Sequence, residues 1–457
     1  MTTSARVCEA MPMPAQFTFA DLFAGIGGFH AALTALGGKC TYAVEIDDAA
    51  AKVYERNWHM NPLGDITKHT NDVTAHIPPV DVLCAGFPCQ PFSKSGAQRG
   101  MDEARGTLFF HIMEVVRAHH PQVLILENVR NLAGPRHRHE WDVIIKQLRA
   151  EHYRVADTPA ILSPHQLPPE RGGRPQVRER VFITATYDPT GVLPNHPEPV
   201  FTSKQVIDSF DPHTWNIADI LLDDDHVGGC ELSRDEISWI DAWDNWVASY
   251  RSLNPGVRLP GFPIWVDHWR TEDDLRDMIN AGQCDDVPAW KMNFLKKNAA
   301  LFTANEEMCR SWMAAHDVNS FPPSRRKLEW QAGLTPSLWD ALIQLRPSGV
   351  RVKPPTYVPA LVAITQTSIV GPKRRRLAPR ETARLQGLPD WFDFGPQGSP
   401  ATYKQLGNGV NIGAVWNVII EHCRRDEAIL ATTESGRAIL ACIEDAPPSP
   451  DQRLLPH

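Results

Sequence analysis

Cys89 lies in the run Gly86-Phe87-Pro88-Cys89-Gln90-Pro91-Phe92-Ser93, behind a proline and just past the apolar segment Asp81-Val82-Leu83-Cys84-Ala85. A thiol in a stiffened loop beyond a strand end suits an exposed nucleophile; a buried, inert thiol is the ordinary alternative for a lone cysteine. Glu127 opens Glu127-Asn128-Val129 at the end of another apolar segment. A carboxyl group at the carboxyl end of a parallel strand faces a ligand crevice, and partial burial there raises its pKa and equips it to donate a proton. Arg178 and Arg180 alternate in Gln176-Val177-Arg178-Glu179-Arg180, so strand spacing points both to one side. Their guanidiniums could hold an oxygen of a heterocycle, a phosphate or Glu127 itself, or form surface salt bridges. Together these groups suit addition to an electron-poor ring. A thiolate attacks a ring carbon, a carboxylic acid relieves charge at a ring nitrogen, and the activated carbon takes a methyl group from a sulfonium. A free thiol of pKa about 8.5 is only slightly ionised at neutral pH, so nearby arginines would help.

A second group of residues has the spacing of a nucleotide-like ligand site. Asp21-Leu22-Phe23-Ala24-Gly25-Ile26-Gly27-Gly28 ends a strand-like segment in glycines that permit a tight turn and close approach of backbone amides. Glu45, about 20 residues past that turn, is placed to accept both ribose hydroxyls. Ile46 beside it could cover an adenine face, and Asp65 in Gly64-Asp65-Ile66 could accept from an exocyclic amine. Ending a strand or capping a helix is the alternative for both carboxylates. The lysine of a phosphate-binding loop is missing, so ATP is not expected.

These residues require a scaffold that gathers strand ends. Up to about residue 187 short apolar strands (17–23, 40–46, 81–85, 122–127, 180–186) alternate with helical patterns at 27–36 and 106–119. That rhythm predicts an α/β fold with a mostly parallel sheet covered on both faces. Beyond Tyr187 the chain turns rich in proline and tryptophan. One helix is expected there: Ser233 and Glu236 form a capping box, and Trp239, Trp243, Trp246 and Tyr250 follow at helical spacing, a stripe read as packing rather than base stacking. Helical patterns return at 379–386 and 412–423, and the proline-rich end, 446–457, is expected to be disordered.

Composition bounds the function. The 457 residues fit two or three domains, and the net charge of −8 runs against a nucleic-acid partner. Basic residues nevertheless cluster at 171–180 and 373–384 while acidic ones gather at 219–225 and 231–244, so a basic cleft on an acidic body and plain solvated charge runs both fit. Nine cysteines without CxxC pairs read as reduced thiols, and no metal site is expected. No segment has the apolar length of a membrane span, and the N-terminus lacks a signal pattern.

In this order the motifs resemble those of the cytosine-C5 DNA methyltransferases. The resemblance covers residues 17–187 and 371–425. It extends to Arg105-Gly106-Thr107-Leu108-Phe109, to Arg380-Glu381-Thr382-Ala383-Arg384-Leu385-Gln386-Gly387 and to Tyr403-Lys404-Gln405-Leu406-Gly407-Asn408-Gly409-Val410, where Gly409 stands in place of the family's common serine. It implies a Rossmann-like S-adenosylmethionine-dependent fold with a smaller, irregular target-recognition domain. The expected division is 1–188 and 400–426 for the catalytic domain, 189–399 for target recognition and 427–457 as an extension.

By the same resemblance, Cys89 attacks cytosine C6, Glu127 acts at N3, Arg180 at O2, and Arg178 supports the site. Phe23, Ala24, Gly25, Gly27, Gly28, Glu45, Ile46, Asp65, Ile66, Pro88, Leu108 and Asn408 contact S-adenosylmethionine, which leaves as S-adenosylhomocysteine. Ser93, Ser95 and Gln98 belong to a mobile loop, hinged near Gly96 and Gly100, that closes over a flipped base. Arg346, Arg351, Thr365 and Thr367 are candidates for DNA contact, with phosphate contact or lobe packing equally open to them. The implied protein is a cytoplasmic bacterial monomer, associated with the nucleoid through double-stranded DNA. It is the modification half of a restriction–modification system with a separate endonuclease, or a solitary enzyme. An RNA-directed relative would instead transfer to tRNA, and a non-enzymatic regulator of the same fold is disfavoured by the presence of Cys89, Glu127 and Arg180. The stretch between Gln166 and Gln176 is longer than the family's usual turn and has no assignment.

Overall fold

The computed structural model describes residues 17–62, 64–88, 108–361 and 367–455. Cys89, Ser93, Ser95, Gln98, Thr365 and the glycines Gly96 and Gly100 lie outside the described residues. The chain groups into two compact units, one of residues up to Pro212 together with those from Ala383, the other His213–Thr382.

The first unit runs β1 (Phe17–Leu22), α1 (Gly28–Ala35), β2 (Gly38–Val44), α2 (Asp48–Trp58), α3 (Val73–His76), β3 (Val82–Gly86), α4 (Leu108–His119), β4 (Val123–Val129), α5 (Arg138–Ala150), β5 (Tyr153–Val155), β6 (Ala160–Leu162), β7 (Gln176–Val177) and β8 (Arg180–Tyr187). Its seven-stranded sheet has the order β2-β1-β3-β4-β8-β5, with β6 also on β8. Pairings β1–β2, β1–β3 and β3–β4 are parallel, whereas β8 runs antiparallel to β4. The central strands Val82-Leu83-Cys84-Ala85 and Val123-Leu124-Ile125-Leu126 are fully buried. Continuous apolar runs of this kind suit strands covered on both faces, and each large side chain so buried contributes roughly 1.5–3 kcal/mol. Helix α2 starts at Asp47, whose carboxylate accepts from the amides of Ala49 and Ala50.

The second unit contains α6 (Arg234–Leu253), β9 (Ile264–Trp265), α7 (Glu272–Asn280), α8 (Ala289–Ala304), α9 (Glu306–Ala315), β10 (Lys327–Trp330), β11 (Leu342–Arg346), β12 (Gly349–Lys353), β13 (Val358–Pro359), β14 (Ile369–Val370) and β15 (Arg375–Arg376). The capping box of Ser233 with Glu236 forms, and Trp243 and Trp246 are buried in a core shared with Trp312 and Trp330. The aromatic stripe is therefore packing. Among its described residues the stretch read as irregular with one helix holds four helices and a six-stranded sheet, β15-β14-β11-β12-β10-β9. Its strands span only two to five residues between prolines and tryptophans, too short for an alternating pattern to stand out.

Helix α10 (Pro379–Leu385) leads back into the first unit, followed by α11 (Ser399–Asn408), α12 (Ile412–Arg425), α13 (Glu427–Leu430) and α14 (Glu434–Glu444). Asp426, fully buried, anchors the end of α12: it ion-pairs with Arg154 on β5 and accepts from Thr186 on β8 at 2.7 Å. Burial holds neighbouring His422 neutral, its pKa drawn down to about 3. The division differs from that expected at 188 and 399. Residues 189–212 stay with the first unit because Arg154 Nε donates to the Pro194 carbonyl at 2.8 Å and Gln166 to that of Ser203 at 3.0 Å. Residues 383–399 do so because the Asn57 amide donates to the Asp393 carbonyl at 2.8 Å.

Two further expectations change. The end of the chain is ordered through Leu455, with Ser449 and Pro450 buried. Proline and polar residues suggested disorder, yet here they dock against the rest of the first unit. The surface they meet is partly the unassigned 168–175 stretch, whose Arg171 pairs with Glu421 on α12 at 2.8 Å while its carbonyl accepts from Asn417 at 2.8 Å. Among the described residues no helix is long and apolar enough to cross a membrane.

Candidate active site

In the order β2-β1-β3-β4 the chain passes from β1 to β2 on one side and then crosses back to β3 on the other, and this reversal opens a crevice above the carboxyl ends of these strands. Phe23 follows β1 there with φ 57°, ahead of Gly25 at 57° and Gly27 at 92°. The left-handed backbone favours glycine at 27, and space requires it, since a Cβ would lie 2.0 Å from Trp58 Nε1. A Cβ on Gly28 would lie 2.7 Å from the Val410 carbonyl, so the return segment closes directly on this turn. Glu45, at the end of β2, accepts from the Gly25 amide at 2.7 Å and from the Asp47 amide at 2.7 Å, one on each oxygen. A carboxylate has about four acceptor positions, so both oxygens keep capacity for hydroxyl donors. Ile46 is 71% exposed beside Glu45, so its apolar side chain is open to a ligand. Asp65 caps a short turn through Oδ1, which accepts from the Thr67 amide at 3.0 Å and hydroxyl at 2.9 Å; Ile66 is buried behind it. Ala24 is buried, Leu108 half-buried, and Pro88 and Asn408 exposed.

Beneath the turn lies Asp21, fully buried, with Oδ2 unpartnered among the described residues. Burial pushes its carboxyl well above the usual range, opposed by a hydrogen bond from the Cys84 thiol and aided by the charge of Glu45.

The second cluster sits on β4. Glu127 pairs in register with Gly86, the last residue of β3, so the chain leading to Cys89 leaves the sheet beside this carboxylate. Arg180, at the start of antiparallel β8, places Nε 2.9 Å from Glu127 Oε1. Burial raises the Glu127 pKa while the Arg180 and Arg178 cations pull it back, and burial prevails. Arg178 and Arg180 thus both act on Glu127, though differently. Arg178 is 1% exposed, and Nη2 donates to the carbonyls of Gly407 at 2.8 Å and Gly409 at 2.5 Å. Burial and the neighbouring Arg180 charge bring its pKa down to about 9. Backbone carbonyls receive Arg178, so glycine at 409 costs this contact nothing.

One positioning residue escaped the sequence reading. Asn128, 2% exposed, donates from Nδ2 to the Phe87 carbonyl at 2.8 Å and accepts from the Val129 amide at 2.9 Å. It ties the mouth of the Cys89 loop to β4. Its place between Glu127 and Val129 was the available signal, but an asparagine at a strand end reads first as a turn former.

The DNA-contact candidates lie in the second unit. Arg351 is held by Glu329 on β10 at 2.6 Å, and Arg346, half-buried at the end of β11, shares with it a sheet face opposite the tryptophan core. Thr367 has a buried hydroxyl without a partner among the described residues.

Comparison with known proteins identifies the family. The family model described as C-5 cytosine-specific DNA methylase matches residues 17–424. The Type II methyltransferase M.AluI of Cellulosimicrobium cellulans is 47% identical over 95% of this chain and 97% of its own length. M.HpaII of Haemophilus parainfluenzae is 43% identical over 40% of this chain and 50% of its length. A DNMT2 crystal structure from Spodoptera frugiperda aligns with a TM-score of 0.47 and 15% identity over 89% of this chain and 99% of that one. With most of the chain matched by the family model, and with a relative of that identity along nearly its whole length, the protein belongs to the C-5 cytosine-specific DNA methylases.

Proposed function

We propose that the protein transfers a methyl group from S-adenosylmethionine to C5 of a cytosine flipped out of a specific duplex sequence, as the modification partner of a Type II restriction system. The observation that carries this reading is the register of Gly86 with Glu127, which brings Phe87-Pro88, the described residues that lead to Cys89, out of the sheet beside a buried Glu127–Arg180 pair. Cys89 adds as thiolate to C6 of the base, and the electron pair pushed toward N3 is met by a proton from Glu127. Arg180 holds the base at O2, and Arg178 fixes the return segment behind it. C5, made electron-rich by the addition, takes the methyl group; its proton then passes to solvent water, N3 returns its proton to the Glu127 carboxylate, and the C6–S bond breaks to restore the aromatic ring and release the Cys89 thiolate. Unstacking the base costs a few kcal/mol, offset by contacts in the crevice. S-adenosylmethionine supplies the electrophilic methyl group. The residues fit it: Glu45 retains acceptor capacity for ribose hydroxyls, Ile46 offers an uncovered apolar face, and Asp65 keeps Oδ2 for an amine. A cytoplasmic site of action among bacterial DNA and a separate cognate endonuclease follow from this reading.

Bisulfite sequencing of plasmid DNA from a host expressing the protein tests the function directly. One short sequence should carry protected cytosines throughout; complete conversion at every site, with transfer to tRNA instead, would overturn the DNA reading. For the donor site, Glu45→Ala should weaken S-adenosylhomocysteine binding by about tenfold or more in calorimetric titration, since hydrogen bonds to a charged group each contribute about 1.5–3 kcal/mol. Unaltered affinity would remove Glu45 from the site.

A further inference from the structure

We propose that the C-terminal strap, residues 449–455, holds the glycine turn 23–28 from behind through Trp391 and Trp58, and that it thereby sets the affinity for the methyl donor. The inference rests on the reading of that turn as the donor site.

The strap is firmly docked. Pro450 and Ser449 are buried, and Gly172 leaves the room they need, since a Cβ there would lie 2.9 Å from Pro450 Cδ. Arg174 bridges it to the return segment, donating from Nε to the Arg384 carbonyl at 3.0 Å and pairing with Asp451 at 2.6 Å. Arg453 donates to the carbonyl of Ala35, the last residue of α1, at 3.2 Å and pairs with Asp445 at 2.9 Å.

From the strap a line of contacts runs to the turn. The Leu454 carbonyl accepts from Trp391 Nε1 at 3.1 Å. Trp391 meets Trp58 edge to face, with centroids 6.1 Å apart and planes at 81°. Trp58 Nε1 in turn donates to the carbonyl of Ile26 at 3.0 Å, and its ring fills the volume that a Cβ on Gly27 would occupy. His30 of α1 stacks on the same ring with centroids 4.6 Å apart. The turn is therefore gripped on two sides, by Glu45 at the Gly25 amide and by Trp58 at the Ile26 carbonyl. Glycines at positive φ are the residues that lose most freedom on ordering, so an anchor that prepays this entropy raises ligand affinity. The chemistry on the base lies at the ends of β3 and β4, so the strap should leave that step alone.

The test compares Arg453→Ala, Trp391→Phe and their double variant in the full-length protein, with Trp58→Phe as a conservative change at the turn itself. Calorimetric titration with S-adenosylhomocysteine gives donor-site affinity; steady-state kinetics give kcat and the KM for donor and for DNA. Each single variant should weaken affinity and raise donor KM by about three- to tenfold, with kcat at saturating donor and DNA KM within about twofold. The double variant should match the more severe single one, because either change releases the same strap. Wild-type donor affinity in Arg453→Ala and Trp391→Phe would overturn the proposal, as would an equal loss in kcat and DNA KM. Failure of the unaltered protein to bind the donor analogue would instead overturn the reading of the turn.

Discussion

In Cys89→Ala, the covalent complex with duplex DNA containing 5-fluorocytosine at the target site will be lost, and methyl transfer will fall to the assay background. Fluorine at C5 cannot leave as a proton would, so an enzyme that adds to C6 and methylates C5 stays bonded to its substrate. The wild-type protein should therefore give a denaturant-resistant band on incubation with donor and fluorinated duplex. Two described thiols beside the turn offer no substitute. Cys84 is fully buried in β3, and burial pushes its thiol well above the ordinary range; Cys40 is pushed up to about 12. Neither is available as thiolate at neutral pH. Persistence of the adduct in Cys89→Ala would mean that another nucleophile does the chemistry, and the assignment would fall. Retained binding of S-adenosylhomocysteine by the same variant separates a lost nucleophile from a lost fold.

The placement of the candidate residues was legible in the sequence because a mostly parallel α/β sheet converts order along the chain into place. A motif directly after an apolar run must emerge at the carboxyl edge, and Phe23, Glu45, Gly86 and Glu127 all do so. What sequence did not convey depends on partners distant along the chain. Arg178 and Arg180 looked equivalent at strand spacing. Yet Arg178 is spent on carbonyls some 230 positions away, at Gly407 and Gly409, while Arg180 faces Glu127. Arg351 read as a candidate for base contact, phosphate contact or lobe packing alike, because Glu329, which holds it, sits across a parallel pairing that no local pattern announces. The strap was missed for a related reason. Its residues lack an apolar period of their own and are held by Arg174, Trp391 and the Ala35 carbonyl, each from a different part of the chain. The sheet of the second unit shows the limit most clearly, since strands of two residues such as Ile369–Val370 acquire their identity only from their neighbours.

Glu127→Gln should lower kcat by about 10²- to 10⁴-fold, the usual share of a positioned acid, with donor affinity within about twofold of wild type. Glutamine keeps the size of the side chain and can still hydrogen-bond, but it has no proton to yield as charge develops at N3. The change also removes the ion pair with Arg180, so Arg180 could lose its alignment; an intact Km for DNA in the variant would show that the base is still held. The pH profile separates the two effects. Burial favours the neutral acid and raises the Glu127 pKa, against the pull of Arg180 and Arg178. The acid is competent only when protonated, so its contribution is complete below the raised pKa and declines as pH rises through it. Ionisation of Cys89 runs the other way, increasing with pH. The product of the two gives wild-type kcat/KM a maximum bounded above by Glu127 and below by the thiol, or a plateau where the two ranges overlap. In Glu127→Gln the descending limb should vanish and the residual rate should climb with pH as the thiolate forms. A descending limb that survives the substitution unchanged would belong to another group and would remove Glu127 from the role of acid.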